Sequence, residues 1–139
     1  MASAQTAREP LEVAMEFIQR INSGSVDAIC ELMTPGHIFQ DALGKRFMGR
    51  EKMREGWRAY LKMVADYRVH AEEFFQTNGR LAIFGTASGT YAGDGDASKE
   101  KFWEVPAAWG AVIRDGLVAE WRVYADNQPL RKLMGEAKT

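Results

Sequence analysis

Cysteine is nearly absent. Cys30 is the only one in 139 residues, so no intramolecular disulfide can form, and a reduced, cytoplasmic setting is the expectation. Histidine is almost as scarce. His37 and His70 are the two present, and no Cys/His cluster has metal-ligand spacing. Only an all-carboxylate site is left as a metal possibility; no metal and no cofactor is assigned. An excess of charge of either sign is missing too. Lys and Arg number 18 against 19 Asp and Glu, giving a formal net charge of -1 and a pI of about 6.1. That balance argues against a nucleic-acid partner held by phosphate neutralisation. Long apolar runs are lacking. The longest charge-free stretch, Leu81 to Gly93, is broken by Gly, Ser and Thr, so no membrane span is expected. The segment Met1 to Glu9 is polar and has no apolar core, so no secretory signal is expected either.

What is present is ordinary globular composition, 46% hydrophobic and 27% charged. One domain over residues 9–134 is expected, with 1–8 and 135–139 as flexible tails. The first half reads helical. Pro10 suits a first helical position, and Leu11, Ala14, Met15, Ile18 and Ile21 follow at helical spacing with Phe17 beside them. Asn22-Ser23-Gly24 is a stop signal. Ser25 can cap a shorter helix with Val26, Ile29, Cys30, Leu32 and Met33, ended by Thr34-Pro35-Gly36. A short strand follows, with His37, Phe39, Asp41 and Leu43 on one face and Ile38, Gln40 and Ala42 on the other. After a turn at Gly44-Lys45, Gly49 precedes a third helix carrying Met53, Trp57, Tyr60, Leu61 and Val64 on one stripe.

The second half changes period. Asn78-Gly79, Asp94-Gly95 and Asp115-Gly116 are hairpin turns, because both central residues of a type I′ turn need φ > 0. They predict four antiparallel strands, about 67–77, 80–92, 99–113 and 117–127. Strands this long twist strongly, and Glu72-Glu73 and Pro106 are the expected irregular points. The fold class is therefore α+β. It is a cone-shaped curved antiparallel sheet of four long meander strands plus a short N-terminal strand pair, covered by three N-terminal helices.

Face parity then selects the interior. Trp103, Val105, Ala107, Trp109, Ala111 and Ile113 share one face of the third long strand. Leu117, Ala119, Trp121, Val123 and Ala125 share one face of the last, against Val118, Glu120, Arg122, Tyr124 and Asp126. Trp57, Trp103, Trp109 and Trp121 should converge. Taken singly, each reads as core filling. Four together, each with an indole N–H seeking a partner, read as the lining of a cavity.

Asp41 is the candidate for chemistry. A carboxylate set against an apolar cavity can take a proton from a carbon acid. The same residue also reads as a turn aspartate bonding local backbone N–H groups before Gly44. His37 is expected near the strand start and partly solvated, and His70 exposed. Asp126 reads as an N-cap for a short C-terminal helix. Cys30 reads as a small buried residue. Gly85, Gly89, Gly93 and Gly95 form no phosphate loop, since no Lys-Ser/Thr follows. Arg50, Glu51, Lys52, Arg54, Glu55 and Arg58 read as a solvated helix face.

Two helices, then HIFQDALGKRFMGREKMREGWRAYL, NGRLAIFGTASGTY and DGLVAEWRVYAD, together resemble the SnoaL-like branch of the nuclear-transport-factor-like superfamily over residues 9–134. The resemblance implies a cone-shaped barrel, a homodimer through the sheet, and relatives such as ketosteroid isomerase, polyketide cyclases and limonene-epoxide hydrolase. FQDALG followed by GRE is similar to the isomerase stretch that holds its general base, and Asp41 falls on that base. Trp57 falls where the isomerase has a supporting tyrosine. Both of the isomerase's oxyanion donors are missing, because Phe17 and Ala108-Trp109 stand in their places. The epoxide hydrolase set falls on Gly85, Ala87 and Val123, which cannot serve. An acid of the polyketide cyclases matches Asp126, at the rim.

The resulting expectation is an isomerase- or cyclase-type general-base protein. It would bind a small hydrophobic, carbonyl-containing molecule, with Asp41 as base. Phe17, Phe39, Trp57, Tyr60, Trp103, Trp109, Trp121 and Val123 would line the site, and Trp103, Trp109 or Trp121 would donate an indole N–H. The alternative is a non-catalytic ligand carrier or dimeric interaction module.

Overall fold

Pro10 occupies the first turn of helix α1 (Pro10–Ser23), where its missing N–H costs nothing, and Gly24 ends the helix at φ 77° with its N–H on the Ile21 carbonyl. The computed structural model containing this helix describes residues 8–91 and 101–136. The buried face of α1 is Val13, Ala14, Phe17, Ile18 and Ile21. Met15, expected on that face, is instead 44% exposed, because the stripe is rotated toward Val13. Ser25 caps α2 (Val26–Glu31) by accepting the Ala28 N–H at 3.3 Å.

The chain then enters the sheet earlier than the sequence suggests. Thr34-Pro35-Gly36 does not close a helix but lies within strand β1 (Met33–Gln40). The Val118 N–H donates to the Leu32 carbonyl at 2.7 Å, which draws the chain out of α2 directly into pairing. A turn leads to β2 (Arg46–Met48), and α3 (Arg50–Met63) follows with Met53 and Trp57 buried. The long strands are β3 (Arg68–Thr77), β4 (Arg80–Tyr91), β5 (Lys101–Arg114) and β6 (Leu117–Ala125). A fourth helix, α4 (Gln128–Glu136), occupies part of the expected C-terminal tail.

The sheet order is β2-β1-β6-β5-β4-β3, and its two end strands do not pair with each other. Strands β3 to β6 form the expected antiparallel meander. Positive φ at Asn78 (50°), Gly79 (79°), Asp115 (55°) and Gly116 (77°) makes two of its turns. The Asp94-Gly95 turn lies outside the described residues. One expectation fails. The sheet is mixed, because β1 runs parallel to β6, with Ile38, Phe39 and Gln40 opposite Glu120, Trp121 and Arg122. No local turn joins these strands, so no turn residue announced the pairing.

A bulge at Glu72 bends β3, as anticipated. Gly85 lies against it, where an added Cβ would sit 1.9 Å from the His70 carbonyl oxygen. Pro106 is not irregular. It pairs with Thr86 in continuous register, at a point where β6 no longer flanks β5, so its lost N–H removes no bond to β6. A second bulge, at Ala119, lets both Val118 and Ala119 turn inward. The inner face of β5 is buried throughout, from Trp103 to Ile113. Trp109 and Trp121 are each 1% exposed. Each such ring removes about 200 Å² from water, an upper figure of about 5 kcal/mol before side-chain entropy is counted. Helix α1 packs across β3–β6 and α3 over β1 and β2, which leaves a hollow under α3.

Candidate functional site

That hollow is a cavity of about 530 Å³, within the roughly 300–1,000 Å³ typical of small-molecule sites. Its walls are mostly rings. Phe39 and Phe47 come from the β1–β2 hairpin, Trp57 and Tyr60 from α3, Tyr67 from the link to β3, and Trp103 and Trp121 from the sheet. The rings touch in series. Centroids lie 6.4 Å apart for Phe39 and Trp57, 6.3 Å for Trp57 and Tyr60, 5.1 Å for Tyr60 and Tyr67, and 6.2 Å for Tyr67 and Trp103. Most pairs are tilted or edge-to-face, the arrangement ring quadrupoles favour. Ala87, Val123 and Ala125 supply the small apolar lining that leaves the hollow open.

Polar side chains complete the lining. They are Asp41, Lys52, Glu55 and Asn127, of which Lys52 and Glu55 are exposed. The ammonium groups of Lys45 and Lys52 lie 5.3 Å and 6.0 Å from the Phe47 ring centre, a cation–π arrangement. Asp41 is a turn residue at the cavity wall. It lines the cavity, and its Oδ1 accepts the Leu43 N–H at 3.0 Å and the Lys45 N–H at 2.9 Å, closing the β1–β2 turn.

Six of the eight expected lining residues lie in the wall: Phe39, Trp57, Tyr60, Trp103, Trp121 and Val123. Phe17 and Trp109 do not. Phe17 is fully buried with its ring 4.9 Å from Trp121, and Trp109 sits in mid-sheet between Ile83 and Val123, a layer deeper than the hollow. Of the expected indole donors, Trp121 lines the cavity and its N–H is not sealed. The N–H groups of Trp57, Trp103 and Trp109 are sealed in the protein and have no partner among the described residues. Residues the sequence reading passed over include Tyr67, Phe47, Met53, Lys52, Glu55 and Asn127. Tyr67 and Asn127, expected at the ends of strands 67–77 and 117–127, lie in connections just beyond β3 and β6. Met53 was placed on the apolar stripe of the helix, whereas Lys52 and Glu55 were assigned to solvent, yet all three line the cavity.

Burial governs the phenols. Tyr60 is held well above its ordinary value by burial, with Tyr67 beside it adding a little. Burial pushes Tyr67 up to about 12, against a smaller opposing pull from the Trp109 indole N–H. That N–H makes no hydrogen bond of good geometry. Both side chains are neutral donors at neutral pH.

His37 is corrected outright. It is fully buried rather than partly solvated, because β1 starts four residues before it and places it mid-strand under α1. Its Nδ1–H donates to the Val118 carbonyl at 2.8 Å, and Nε2 has no partner among the described residues. Burial holds its pKa below the usual 6.5, with weaker opposition from the Val118 carbonyl and the Glu120 charge. His70 is exposed. The exposed Asp126 accepts the Gln128 N–H at 3.0 Å just ahead of α4. Burial pushes the Cys30 thiol up, as befits an inert core residue. Among the described residues no group of three or more His, Cys, Asp or Glu could hold a metal ion. No helix among them is long and apolar enough to cross a membrane.

Solved structures share this architecture. A proposed SnoaL-like polyketide cyclase of Shewanella denitrificans OS-217 superposes with a TM-score of 0.79 at 13% identity, covering 91% of this chain and 97% of its own. IdmH of Streptomyces antibioticus, a proposed polyketide cyclase, gives 0.75 at 19% identity over 92% and 99%. A ketosteroid isomerase-like protein of Catenulispora acidiphila DSM 44928, in complex with trimethylamine, gives 0.76 at 16% over 89% and 92%. A comparison with curated proteins gives no match. At these identities the likeness shows the fold alone. The SnoaL-like domain family matches residues 14–121, most of the chain. On the strength of that match, the protein belongs to the SnoaL-like domain family.

Proposed function

We propose that the cavity binds a small hydrophobic, carbonyl-bearing molecule and that Asp41 takes a proton from a carbon beside that carbonyl. The observation that carries this reading is a ring-walled hollow of about 530 Å³ with a turn carboxylate in its lining. In such a step the carboxylate accepts the proton, the C–H electron pair moves toward the carbonyl carbon, and negative charge builds on the oxygen. A cyclase-like role agrees with what is proposed for two of the similar structures.

A second reading, binding without chemistry, is favoured by one observation. Oδ1 of Asp41 is already engaged by two turn N–H groups, so the residue has a structural reason to be an aspartate. The two readings separate in two measurements. A solvatochromic aromatic ketone should blue-shift on binding to the wild type and fail to bind Ala125→Phe, which fills the cavity. Lack of binding to the wild type ends both readings. Asp41→Asn then keeps the acceptor and removes the base. Turnover of any carbonyl compound found by screening should fall about a hundredfold or more. Unchanged turnover removes the base role.

We further propose that the outer face of the sheet pairs with a second copy of the chain. Phe75, Phe84, Phe102 and Tyr124 are 56%, 44%, 65% and 48% exposed there, and the Phe75 and Phe84 rings touch at 5.7 Å. A patch of this kind marks an interaction surface. Light scattering should give a dimer for the wild type and a monomer for Phe84→Lys; a monomeric wild type contradicts the proposal.

A further inference from the structure

A cavity that takes a carbonyl compound needs a hydrogen-bond donor for the oxygen. Phe17 supplies none, and the indole N–H groups of Trp57 and Trp103 are sealed away from the hollow, which leaves the single indole N–H of Trp121. Two further side chains in the wall carry hydroxyls. Tyr60, on the last turn of α3, and Tyr67, four residues past its end, both line the cavity. Their rings stand 5.1 Å apart and nearly perpendicular, at 89°. Neither hydroxyl makes a hydrogen bond of good geometry within the described residues, and neither is among the sealed unpartnered atoms. The Trp109 indole N–H that acts on Tyr67 can only donate, so the phenol's own O–H is left to donate elsewhere. A largely buried side chain with its hydroxyl unsatisfied at a cavity wall calls for an acceptor there.

We propose that Tyr60 and Tyr67 form a phenol pair that donates to the carbonyl oxygen of a neutral, ring-bearing ligand and so sets the specificity of the cavity. The inference rests on the reading of the cavity as a ligand site. Three features support it. Burial keeps both phenols protonated, hence donors, across the neutral range. The ring walls offer faces and edges to a flat ligand. Among the described residues the lining holds one cation, Lys52, on an exposed helix position beside Phe47. An anionic ligand among the rings would go uncompensated, at a cost a neutral carbonyl avoids. The donors thus come from the end of α3, not from α1 where the isomerase resemblance would put one.

The test uses three probes of like shape: 2-acetylnaphthalene, the hydrocarbon 2-isopropenylnaphthalene, and 2-naphthoate. The wild type should bind the ketone about tenfold more tightly than the hydrocarbon, and the anion most weakly. The carbonyl stretch of the bound ketone should shift to lower frequency. In the double variant Tyr60→Phe/Tyr67→Phe the ketone preference and the frequency shift should vanish, while hydrocarbon affinity changes less than about twofold. Equal binding of ketone and hydrocarbon by the wild type with no frequency shift overturns the phenol pair and leaves the cavity reading standing. Tighter binding of the anion also overturns it. Failure of both neutral probes to bind overturns the cavity reading beneath it. The wild-type measurements alone decide the matter if the double variant does not fold.

Discussion

His37 makes the core sensitive to acid, and the size of the effect follows from its surroundings. The ring is 0% exposed, packed 6.2 Å from Phe17, and its one bond runs from Nδ1–H to the Val118 carbonyl. Nε2 has no acceptor within reach, so a second proton would bury an unpaired charge. Glu120 is the acidic group whose charge reaches the ring, and Arg46 and Arg122 already share that carboxylate. The folded pKa lies below the unfolded 6.5. The contribution of His37 to stability is therefore intact above that value. It is lost as pH falls, because the unfolded chain takes up the proton first. The limiting slope is about 1.4 kcal/mol per pH unit until the folded pKa is reached. Urea unfolding followed by tryptophan fluorescence, from about pH 7.5 down to about pH 5.5, measures it. His37→Gln cannot titrate. It should be less stable at neutral pH by about 1–3 kcal/mol if the Val118 carbonyl loses its donor, yet show a shallower acid slope. Identical slopes for wild type and His37→Gln would refute the reasoning.

Three further outcomes follow from the geometry. Gly85→Ala places a methyl 1.9 Å from a backbone oxygen opposite the β3 bulge, so it should cost about 3 kcal/mol and lower the melting temperature sharply. Gly89→Ala meets Val64 at 2.3 Å and Trp103 at 3.3 Å, and calorimetry should find it less stable, with altered emission from the displaced indole. Asp41→Ala frees the Leu43 and Lys45 N–H groups and should cost about 1 kcal/mol, whereas Asp41→Asn, which keeps the acceptor, should stay within about 0.5 kcal/mol of wild type. Equal losses in the two variants would mean that the carboxylate charge, not the turn geometry, matters there.

Much of this architecture is legible in local patterns. The period-2 alternation from Trp103 to Ile113 places six side chains on the buried face, and Asn78-Gly79 and Asp115-Gly116 fix two hairpins. The errors arise where partners are distant in sequence. Val118 is inward against its parity because of a bulge set by β5, and β1 is extended from Met33 because β6, some 80 residues away by the His37–Val118 bond, pairs with it. Parity separates inside from outside but not one interior layer from the next. Hence Phe17 and Trp109 belong to the core while Trp103 and Trp121 reach the cavity. Tyr67 and Asn127 lie in connections, where position depends on how α3 and α4 seat against the sheet. No periodicity encodes that.

A crystal structure of the protein soaked with 2-acetylnaphthalene addresses the ligand reading most directly. The naphthalene should lie among Phe39, Trp57 and Trp103, with its oxygen about 3 Å from a tyrosine hydroxyl. A ring-walled hollow that stays empty while the ketone settles on the outer sheet face would contradict it.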